Sequence, residues 1–373
     1  MRLRLAMIVL SLAPLAALAA APGTLISADP VVETPSGMQA WKVRYWTSSD
    51  RGAEIEVTGM VAAPREAISA RPRKVLAYAH GTSGVASQCA PSLSRDFFDV
   101  TPGVREAVAR GYTVVAPDYA GLGSTMPHPY LVGSSTAHAV LDAVRAARDI
   151  PGAAAGSSFA VWGESQGGHA ALWTGQLSRQ YAPDLTLMGV AAAAPPTELV
   201  ENLRAGSDPS IRAFLTAFTA YSWSRHFGAP LSTLGKRSTQ GVITRLSQNN
   251  CIVLGKKPKL GTMIGVLVLR RDLKDVDLGR IQPWARIAGD NSPAARSYGV
   301  PFLIAQNPQD VIIGLSVTQD FARRLCRGGG QVRYVTINGQ GHETSARDST
   351  VVTLDWIDAR FAGRPAPSDC GRI

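Results

Sequence analysis

A serine with glycines on both sides stands where an apolar run meets a helical run. Residues 163–167 read G-E-S-Q-G, the pattern in which a serine occupies a sharp turn from a strand into a helix. The apolar residues 159–162 precede it, and residues 168–173 are typical of a helix start. Glycines suit such a turn because neighbouring strands come too close for a side chain. The pattern predicts Ser165 as a nucleophile, with an ordinary glycine-rich turn as the alternative.

A serine hydroxyl attacks well only when a neighbouring imidazole removes its proton, and after a turn of this kind the histidine comes later in the chain. His169 lies one helical turn after the serine and is expected to pack beneath the turn, which leaves His226 and His342. His226 stands beside aromatic residues, which favours a packed side chain. His342 follows the strand-like run 332–337 in a glycine-bearing loop, where catalytic groups are common, so we expect it to be the general base. The zinc motif H-E-x-x-H is excluded because residue 346 is alanine.

The imidazole also needs an acid that holds it in the right tautomer and stabilises its charged form. Asp310 lies in the loop that follows the apolar run 300–305, one strand before His342. Asp290 precedes that run, and Asp320 falls in the helical stretch after it, so we expect structural roles for both. The predicted acid is therefore Asp310.

The negative oxygen that develops during acyl transfer needs backbone N–H donors. One usually comes from the residue after the nucleophile and another from an earlier loop at a strand end. Gln166 occupies the first position, and Thr82 lies where the apolar run 75–79 enters the sequence H-G-T. We expect the N–H groups of Thr82 and Gln166 to form the oxyanion hole, with an ordinary tight turn at residues 80–84 as the alternative. His80 precedes the serine, so it is expected to be structural.

Short apolar runs alternate with helical stretches along most of the chain. Two early runs, 42–48 and 53–61, flank a polar turn and predict an antiparallel hairpin. The later strand-like runs cover residues 74–78, 113–116, 158–162, 185–192, 300–305 and 331–337. Strands that are apolar throughout and separated by helices indicate a mostly parallel sheet covered by helices on both faces. The expected fold class is α/β.

This alternation stops between residues 196 and 293. Apolar side chains such as Phe214 and Phe218 fall there at helical spacing, with few strand-like runs. We expect a mainly helical cap inserted over the carboxyl edge of the sheet, in which these two phenylalanines contact the substrate. A pair of buried helices would give the same periodicity. Core segments 21–195 and 294–373 would flank the cap.

Residues 1–20 carry two arginines before an uncharged run, the composition of a secretory signal peptide. A membrane anchor is the alternative, but the run is shorter than the roughly 20 residues that span a bilayer. Export would make the protein secreted or periplasmic. Cysteines meet oxidising conditions there, which favours disulfides over a thiol nucleophile or a zinc site, and four cysteines allow three pairings. The four are Cys89, Cys251, Cys326 and Cys370.

The chain of 373 residues has a formal net charge of +10 and 45% hydrophobic residues, a composition typical of a globular protein. Its basic residues are scattered, apart from Lys256, Lys257 and Lys259. No nucleic-acid-binding motif accompanies them, so a solvated surface with some attraction to anionic surfaces is expected. The G-L-G at residues 121–123 lacks the third glycine of a dinucleotide-binding loop. No cofactor or metal is expected.

Taken together, these motifs resemble the secretory lipase family, which includes the fungal lipase A enzymes. The resemblance covers most of the mature chain and rests on H-G-T at 80–82, D-Y-A-G-L-G at 118–123, the turn at 163–167, the long insertion, Asp310 and G-H-E at 341–343. It implies an α/β-hydrolase fold and triacylglycerol lipase or broad carboxylesterase activity. The expected partners are small-molecule or lipid esters, with transient contact with a lipid surface, and no cofactor is implied.

The family resemblance also implies disulfides between Cys89 and Cys251 and between Cys326 and Cys370. One departure is Glu164, which stands where many members have tyrosine. The triad does not reveal the leaving group of the substrate. An exported peptidase or amidase that uses the same triad is therefore the alternative enzyme. A binding protein on a decayed hydrolase scaffold is a different class of function, and the complete set of serine, acid and histidine argues against it.

Overall fold

A nine-stranded sheet forms the centre of the protein in its computed structural model, which describes residues 20–65, 71–253 and 258–373. The strands are β1 (Leu25–Pro30), β2 (Met38–Ser48), β3 (Glu54–Pro64), β4 (Arg73–Ala79), β5 (Thr113–Pro117), β6 (Ala155–Glu164), β7 (Thr186–Ala193), β8 (Phe302–Gln306) and β9 (Val332–Thr336). They lie in the order β1-β2-β3-β5-β4-β6-β7-β8-β9. Strands β1, β2, β3 and β5 pair antiparallel, and every pair from β5 through β4 to β9 is parallel.

Helices cover both faces of this sheet. They are α1 (Phe97–Val100), α2 (Val104–Ala109), α3 (Gly133–Ala147), α4 (Gln166–Tyr181), α5 (Leu199–Ala205), α6 (Pro209–Phe227), α7 (Arg237–Asn249), α8 (Leu260–Asp272), α9 (Trp284–Asp290), α10 (Leu315–Arg327) and α11 (Ser345–Phe361). Residues of α3, α4 and α10 pack on one face, and residues of α1, α2 and α11 pack on the other. Every residue of β5 is buried, as expected for a strand covered on both sides.

The predicted α/β class is confirmed, and each predicted strand overlaps an observed one. Strand β1 was not predicted. It pairs only with β2 and its residues are half-buried or exposed, so its sequence lacks the apolar pattern of a strand with two buried faces.

Helices α5 to α9 form a helical segment (residues 199–253 and 258–290) between β7 and β8. Its apolar core includes the fully buried side chains Phe218, Trp223 and Trp284. The Trp223 indole N–H donates to the carbonyl oxygen of Tyr130 at 2.9 Å, which joins α6 to the chain just before α3. The helical content agrees with the sequence pattern, while the assignment of residues 196–293 as a cap stays a prediction.

A disulfide between Cys89 and Cys251 joins the helical segment to the loop after β4. Gly84 and Cys251 form an antiparallel bridge, and the Ile252 N–H donates to the carbonyl oxygen of Ser83 at 2.8 Å. The end of α7 is therefore fixed to this loop by one covalent bond and by backbone pairing.

The second disulfide links Cys326, in the last turn of α10, to Cys370 near the C-terminus. Both pairings are those that the family resemblance implied. The predicted signal peptide at residues 1–20 lies outside the described residues except for residue 20. Among the helices of the described residues, none is long and apolar enough to cross a membrane.

Removing the Cys89–Cys251 disulfide should destabilise the protein more than removing the other one. In the chain-entropy model the stabilisation grows with the length of the closed loop, and the sequence separations are 162 and 44. We expect Cys89→Ala/Cys251→Ala to lose about 1 kcal/mol more free energy of unfolding than Cys326→Ala/Cys370→Ala. Guanidinium unfolding followed by tryptophan fluorescence measures both. An equal or smaller loss in the first variant would contradict loop closure as the cause.

Candidate active site

Ser165 lies in the turn from β6 into α4, with backbone dihedrals φ 54° and ψ −121°. A positive φ is unfavourable for a residue with a Cβ atom, so this conformation has to be held by its surroundings. A Cβ at Gly163 would lie 2.1 Å from the carbonyl oxygen of Gly167, and one at Gly167 would lie 1.8 Å from that of Ala79. The two glycines therefore permit the turn to pack directly on the end of β4.

The loops after three parallel strands bring Ser165, Asp310 and His342 together. The Nε2 atom of His342 lies 2.9 Å from Ser165 Oγ, and its Nδ1 atom lies 2.8 Å from Asp310 Oδ2. Asp310 follows β8 and His342 follows β9, and their side chains are 0% and 9% exposed. Such a cluster is able to pass the serine proton to the imidazole. The catalytic roles themselves stay predictions.

The carboxyl group of Asp310 is held by donors on both oxygens. Its Oδ1 atom accepts from the N–H groups of Ile312 and Ile313, each at 2.8 Å. The Gln306 side-chain amide donates to Oδ2 at 3.1 Å, and Thr318 donates in turn to the Gln306 side-chain oxygen at 3.1 Å. Gln306 was missed in the sequence, because it reads only as the first residue of the loop that follows the apolar run 300–305. These contacts fix Oδ2 of Asp310 toward the imidazole.

Burial lowers the pKa of the His342 imidazole, but other effects outweigh it. The hydrogen bond and charge of Asp310, followed by the charges of Glu164 and Glu343, raise this pKa above its ordinary value. The imidazolium that forms when His342 accepts a proton is thereby stabilised.

The other two candidate acids lie on the surface. Asp290 is 65% exposed and lies 3.7 Å from Arg286, and Asp320 is 60% exposed and lies 2.7 Å from Arg323. Exposed ion pairs of this kind contribute little to stability. Both residues are suited to serve as controls for Asp310.

The loop after β4 packs against the turn that holds Ser165. A Cβ on Gly81 would lie 3.8 Å from the Cβ of Ser165. Thr82 follows, with its hydroxyl 2.8 Å from the hydroxyl of Tyr130. Gln166 is the first residue of α4, and the first four N–H groups of a helix have no acceptor within it. The oxyanion roles of Thr82 and Gln166 stay predictions.

Three buried histidines surround this turn: His80, His128 and His169. Burial lowers the pKa of all three, to about 3 for His128 and about 4 for His169, so they are neutral at physiological pH. His128 is 2.7 Å from the carbonyl oxygen of Ala120 through Nδ1 and 3.1 Å from the Gln166 amide nitrogen through Nε2. A neutral ring donates to the first and accepts from the second. The contact with Gln166 was missed in the sequence because no motif connects the two residues.

Phe214 and Phe218 both lie on α6. Their ring centroids are 4.5 Å apart, and the Phe218 ring lies 6.4 Å from the Tyr130 ring, whose hydroxyl contacts Thr82. Phe218 has no exposed surface, whereas Phe214 is half-buried. This part of α6 is therefore near the loop after β4, and contact of either ring with substrate stays a prediction. Within the described residues, no group of three or more His, Cys, Asp or Glu side chains is able to hold a metal.

Glu164 is a buried carboxyl group directly before the nucleophile, 8% exposed at the end of β6. Burial raises its pKa to about 7, although the charge of His342 and a hydrogen bond from the Ala346 N–H in the first turn of α11 favour the carboxylate. The charge of Glu164 therefore changes near neutral pH. Its position was visible in the sequence, but its burial was not.

Replacing Glu164 with glutamine should make the stability of the protein less dependent on pH. The pKa of the group rises from 4.5 to about 7 on folding, so between these pH values the folded state keeps a proton that the unfolded state releases. The contribution of Glu164 to the free energy of unfolding of the wild type therefore falls as pH rises through this range. Glutamine keeps an acceptor oxygen for Ala346 but does not titrate.

Thermal unfolding at pH 5 and pH 8 measures this difference, with the exposed neighbour Glu343→Gln as the control. We expect the melting temperature of Glu164→Gln to fall less between the two pH values than that of the wild type and of the control. Equal falls in all three proteins would show that the pKa of Glu164 is close to its ordinary value.

The secretory lipase family model matches residues 100–253 and 274–369 of the chain. A relative from Mycobacterium tuberculosis, described as a probable inactive lipase, is 24% identical over 369 residues, covering 93% of this chain and 80% of the relative. Lipase 5 of Candida albicans is 25% identical over 330 residues, covering 83% of this chain and 69% of that enzyme.

Two solved structures share the fold. Candida antarctica lipase A in its closed state superposes with a TM-score of 0.76 at 20% identity, covering 94% of this chain and 85% of that one. The rice cell wall degrading esterase LipA from Xanthomonas oryzae superposes with a TM-score of 0.71 at 18% identity, covering 92% of this chain and 98% of that one. Because the family model matches most of this chain, the chain belongs to the secretory lipase family.

Proposed function

We propose that this protein is an exported serine hydrolase that cleaves carboxylic esters, with Ser165 as the nucleophile, His342 as the general base and Asp310 as the acid that orients the imidazole. One observation carries the proposal: the imidazole lies within 2.9 Å of the serine oxygen and 2.8 Å of the carboxyl oxygen. Membership in the secretory lipase family supports ester hydrolysis. Because one relative is described as a probable inactive lipase, the activity has to be argued from the residues of this chain.

The reaction would begin when His342 Nε2 takes the proton of the Ser165 hydroxyl while Oγ attacks the ester carbonyl carbon. The N–H groups of Thr82 and Gln166 would donate to the negative oxygen of the tetrahedral intermediate. The imidazolium, stabilised by Asp310, then gives its proton to the leaving alcohol as the ester C–O bond breaks. Water attacks the resulting acyl-serine and passes a proton to His342, after which the acid leaves and Ser165 regains its proton.

For the substrate, we propose triacylglycerols or other carboxylic esters, with residues 196–293 as a cap over the acyl group. The observation in favour is that α6 of this segment reaches the loop beside Ser165 through the Phe218 and Tyr130 rings. Phe214 is the half-buried member of that pair of phenylalanines, whereas Phe218 is fully buried, so Phe214 is our candidate for direct acyl contact. Family membership and the two disulfides support an extracellular or periplasmic location, with residues 1–20 as the proposed signal peptide.

Variants of the proposed triad should lose turnover without losing the fold. We expect a loss on the order of 10⁶ for Ser165→Ala and on the order of 10⁴ for Asp310→Asn, which favours the wrong tautomer of His342. The surface variants Asp290→Asn and Asp320→Asn should stay within about tenfold, since surface changes alter stability by about 0.5 kcal/mol or less. Hydrolysis of p-nitrophenyl butyrate measures turnover, and circular dichroism and thermal melts check folding.

A fluorophosphonate probe provides an independent measurement on the same proteins. Mass spectrometry should locate the adduct on Ser165, and Ser165→Ala should give none. An adduct on another serine, or a folded Asp310→Asn variant with normal turnover beside an inactive Asp290→Asn, would overturn the assignment.

The acyl-chain preference tests the substrate proposal. If Phe214 contacts the acyl group, Phe214→Ala should lower the preference for octanoate over acetate esters. Each methylene group that the ring no longer covers should lower this preference about fourfold, because burial of one methylene contributes ~0.8 kcal/mol. Leu93→Ala, at an exposed site outside the helical segment, is the control. Equal effects on all esters would remove Phe214 from the acyl site. Faster cleavage of aminoacyl amides than of esters would make the protein an amidase.

A further inference from the structure

Helix α8 presents an apolar stripe to solvent. Leu260, Met263, Ile264 and Leu267 are 72%, 50%, 54% and 59% exposed, and their spacing places them on one face of the helix. The opposite face is fixed to the protein, since Leu269 has no exposed surface and belongs to the core of the helical segment. The stripe is therefore the outward face of a helix whose opposite face packs on the core of the helical segment.

This grouping differs from the rest of the described surface. The other exposed large apolar side chains there are Val32, Leu93, Val311 and Val351, which lie far apart along the chain. Scattered apolar side chains are normal on a soluble protein, whereas a contiguous patch marks a binding surface. The α8 stripe is therefore a candidate binding surface.

Cations stand at both ends of the stripe. Lys259 is exposed directly before α8, Arg270 and Arg271 are exposed in its last turn, and Lys274 is exposed just beyond it. The only carboxylate between Lys259 and Lys274 is Asp272, which is ion-paired with Arg271 at 2.9 Å. Among the ion pairs of the described residues, none engages Lys259, Arg270 or Lys274. Counting the exposed Asp275 beside Lys274, four cations and two carboxylates leave a net positive charge around the apolar side chains.

We propose that α8 docks the protein on an anionic lipid surface, with its apolar stripe inserted among the lipids and its flanking cations against their phosphates. Helices with an apolar face and basic residues lie in the plane of such a surface and bury the apolar face roughly 5–10 Å deep. Each Lys or Arg near an anionic leaflet adds attraction. The choice of a lipid surface rests on the proposed function, because water-insoluble esters collect at such surfaces.

A second copy of the chain is the other candidate occupant, and charge argues against it. In a two-fold dimer, antiparallel α8 helices would place Lys259 of one copy beside Arg270 and Lys274 of the other, and parallel helices would bring identical cations together. Like charges juxtaposed in this way repel. Four half-exposed side chains also offer far less than the ~800 Å² per partner that a stable dimer buries.

Vesicle cosedimentation tests the proposal directly. We expect the wild type to bind vesicles of phosphatidylcholine with phosphatidylglycerol, and Ile264→Glu/Leu267→Glu to partition at least tenfold less. Glutamate is a good helix former and both sites are exposed, so the variant should fold. The matched control Val32→Glu/Val351→Glu removes two exposed apolar side chains and adds the same charge elsewhere, and it should bind within about twofold of the wild type.

A second variant separates charge from insertion. Lys259→Gln/Arg270→Gln/Lys274→Gln should bind the anionic vesicles no better than the wild type binds vesicles of phosphatidylcholine alone. The wild type should also lose affinity for anionic vesicles as salt rises, whereas this variant should not.

Turnover of soluble p-nitrophenyl butyrate distinguishes failure of docking from failure of the proposed function. It should be unchanged in all three variants. A wild type that binds vesicles but does not hydrolyse the ester would overturn the proposed function and leave the docking surface. Three outcomes would each overturn the lipid proposal. The wild type does not bind vesicles, the α8 and control variants bind equally well, or light scattering shows a wild-type dimer that Ile264→Glu/Leu267→Glu abolishes.

Discussion

The contact between the chain at Gly167 and the end of β4 sets the position of the groups around it. A Cβ at this residue would lie 1.8 Å from the Ala79 carbonyl oxygen, so α4 can start where it does only with glycine there. The same packing keeps Ser165 at φ 54°, at the sheet edge where the loops after β8 and β9 arrive. A strained backbone of this kind persists because the surrounding structure holds it. The geometry at Ser165 therefore depends on the packing of β4, β6 and α4 as a unit.

Two buried carboxyl groups, those of Asp310 and Glu164, act on the His342 imidazole, and their surroundings make them different. Asp310 receives two loop N–H groups and the Gln306 amide in addition to His342, which fixes its orientation. Glu164 is buried with a backbone N–H from Ala346, and its pKa rises to about 7. The orientation of the imidazole is therefore set by Asp310, while the charge beside it varies with pH through Glu164. Ionisation of Glu164 adds to the negative charge that raises the pKa of His342.

The residues of the proposed triad could be named as candidates from their positions after predicted strands, whereas residues that contact the site only through long-range packing could not. Ser165, Asp310 and His342 each follow a recognisable strand, so the motif and the alternation of strands and helices were enough to name them as candidates. The contact of His128 with Gln166 joins residues 38 positions apart with no motif between them, and only the packed structure reveals it. The apolar stripe of α8 is a second feature that the sequence pattern does not reveal. Apolar residues at helical spacing usually indicate a buried face, yet those of its stripe are exposed, and burial depends on neighbours that periodicity does not describe.

The helical segment is attached to the sheet beside the proposed active site as well as through its chain ends. Cys251 is bonded to Cys89, and the Ile252 N–H donates to Ser83, in the loop that also carries Thr82. Helix α8 begins at Leu260, nine residues after Cys251. A displacement of α8 at a lipid surface would therefore act on a segment that is bonded to the loop beside Ser165. Displacement of the chain at Cys251 and Ile252 would therefore also displace Ser83 and Gly84, with which these residues pair. Such a displacement would move the loop that carries Thr82, the proposed oxyanion donor, so the disulfide would couple the proposed docking of α8 to the geometry around Ser165.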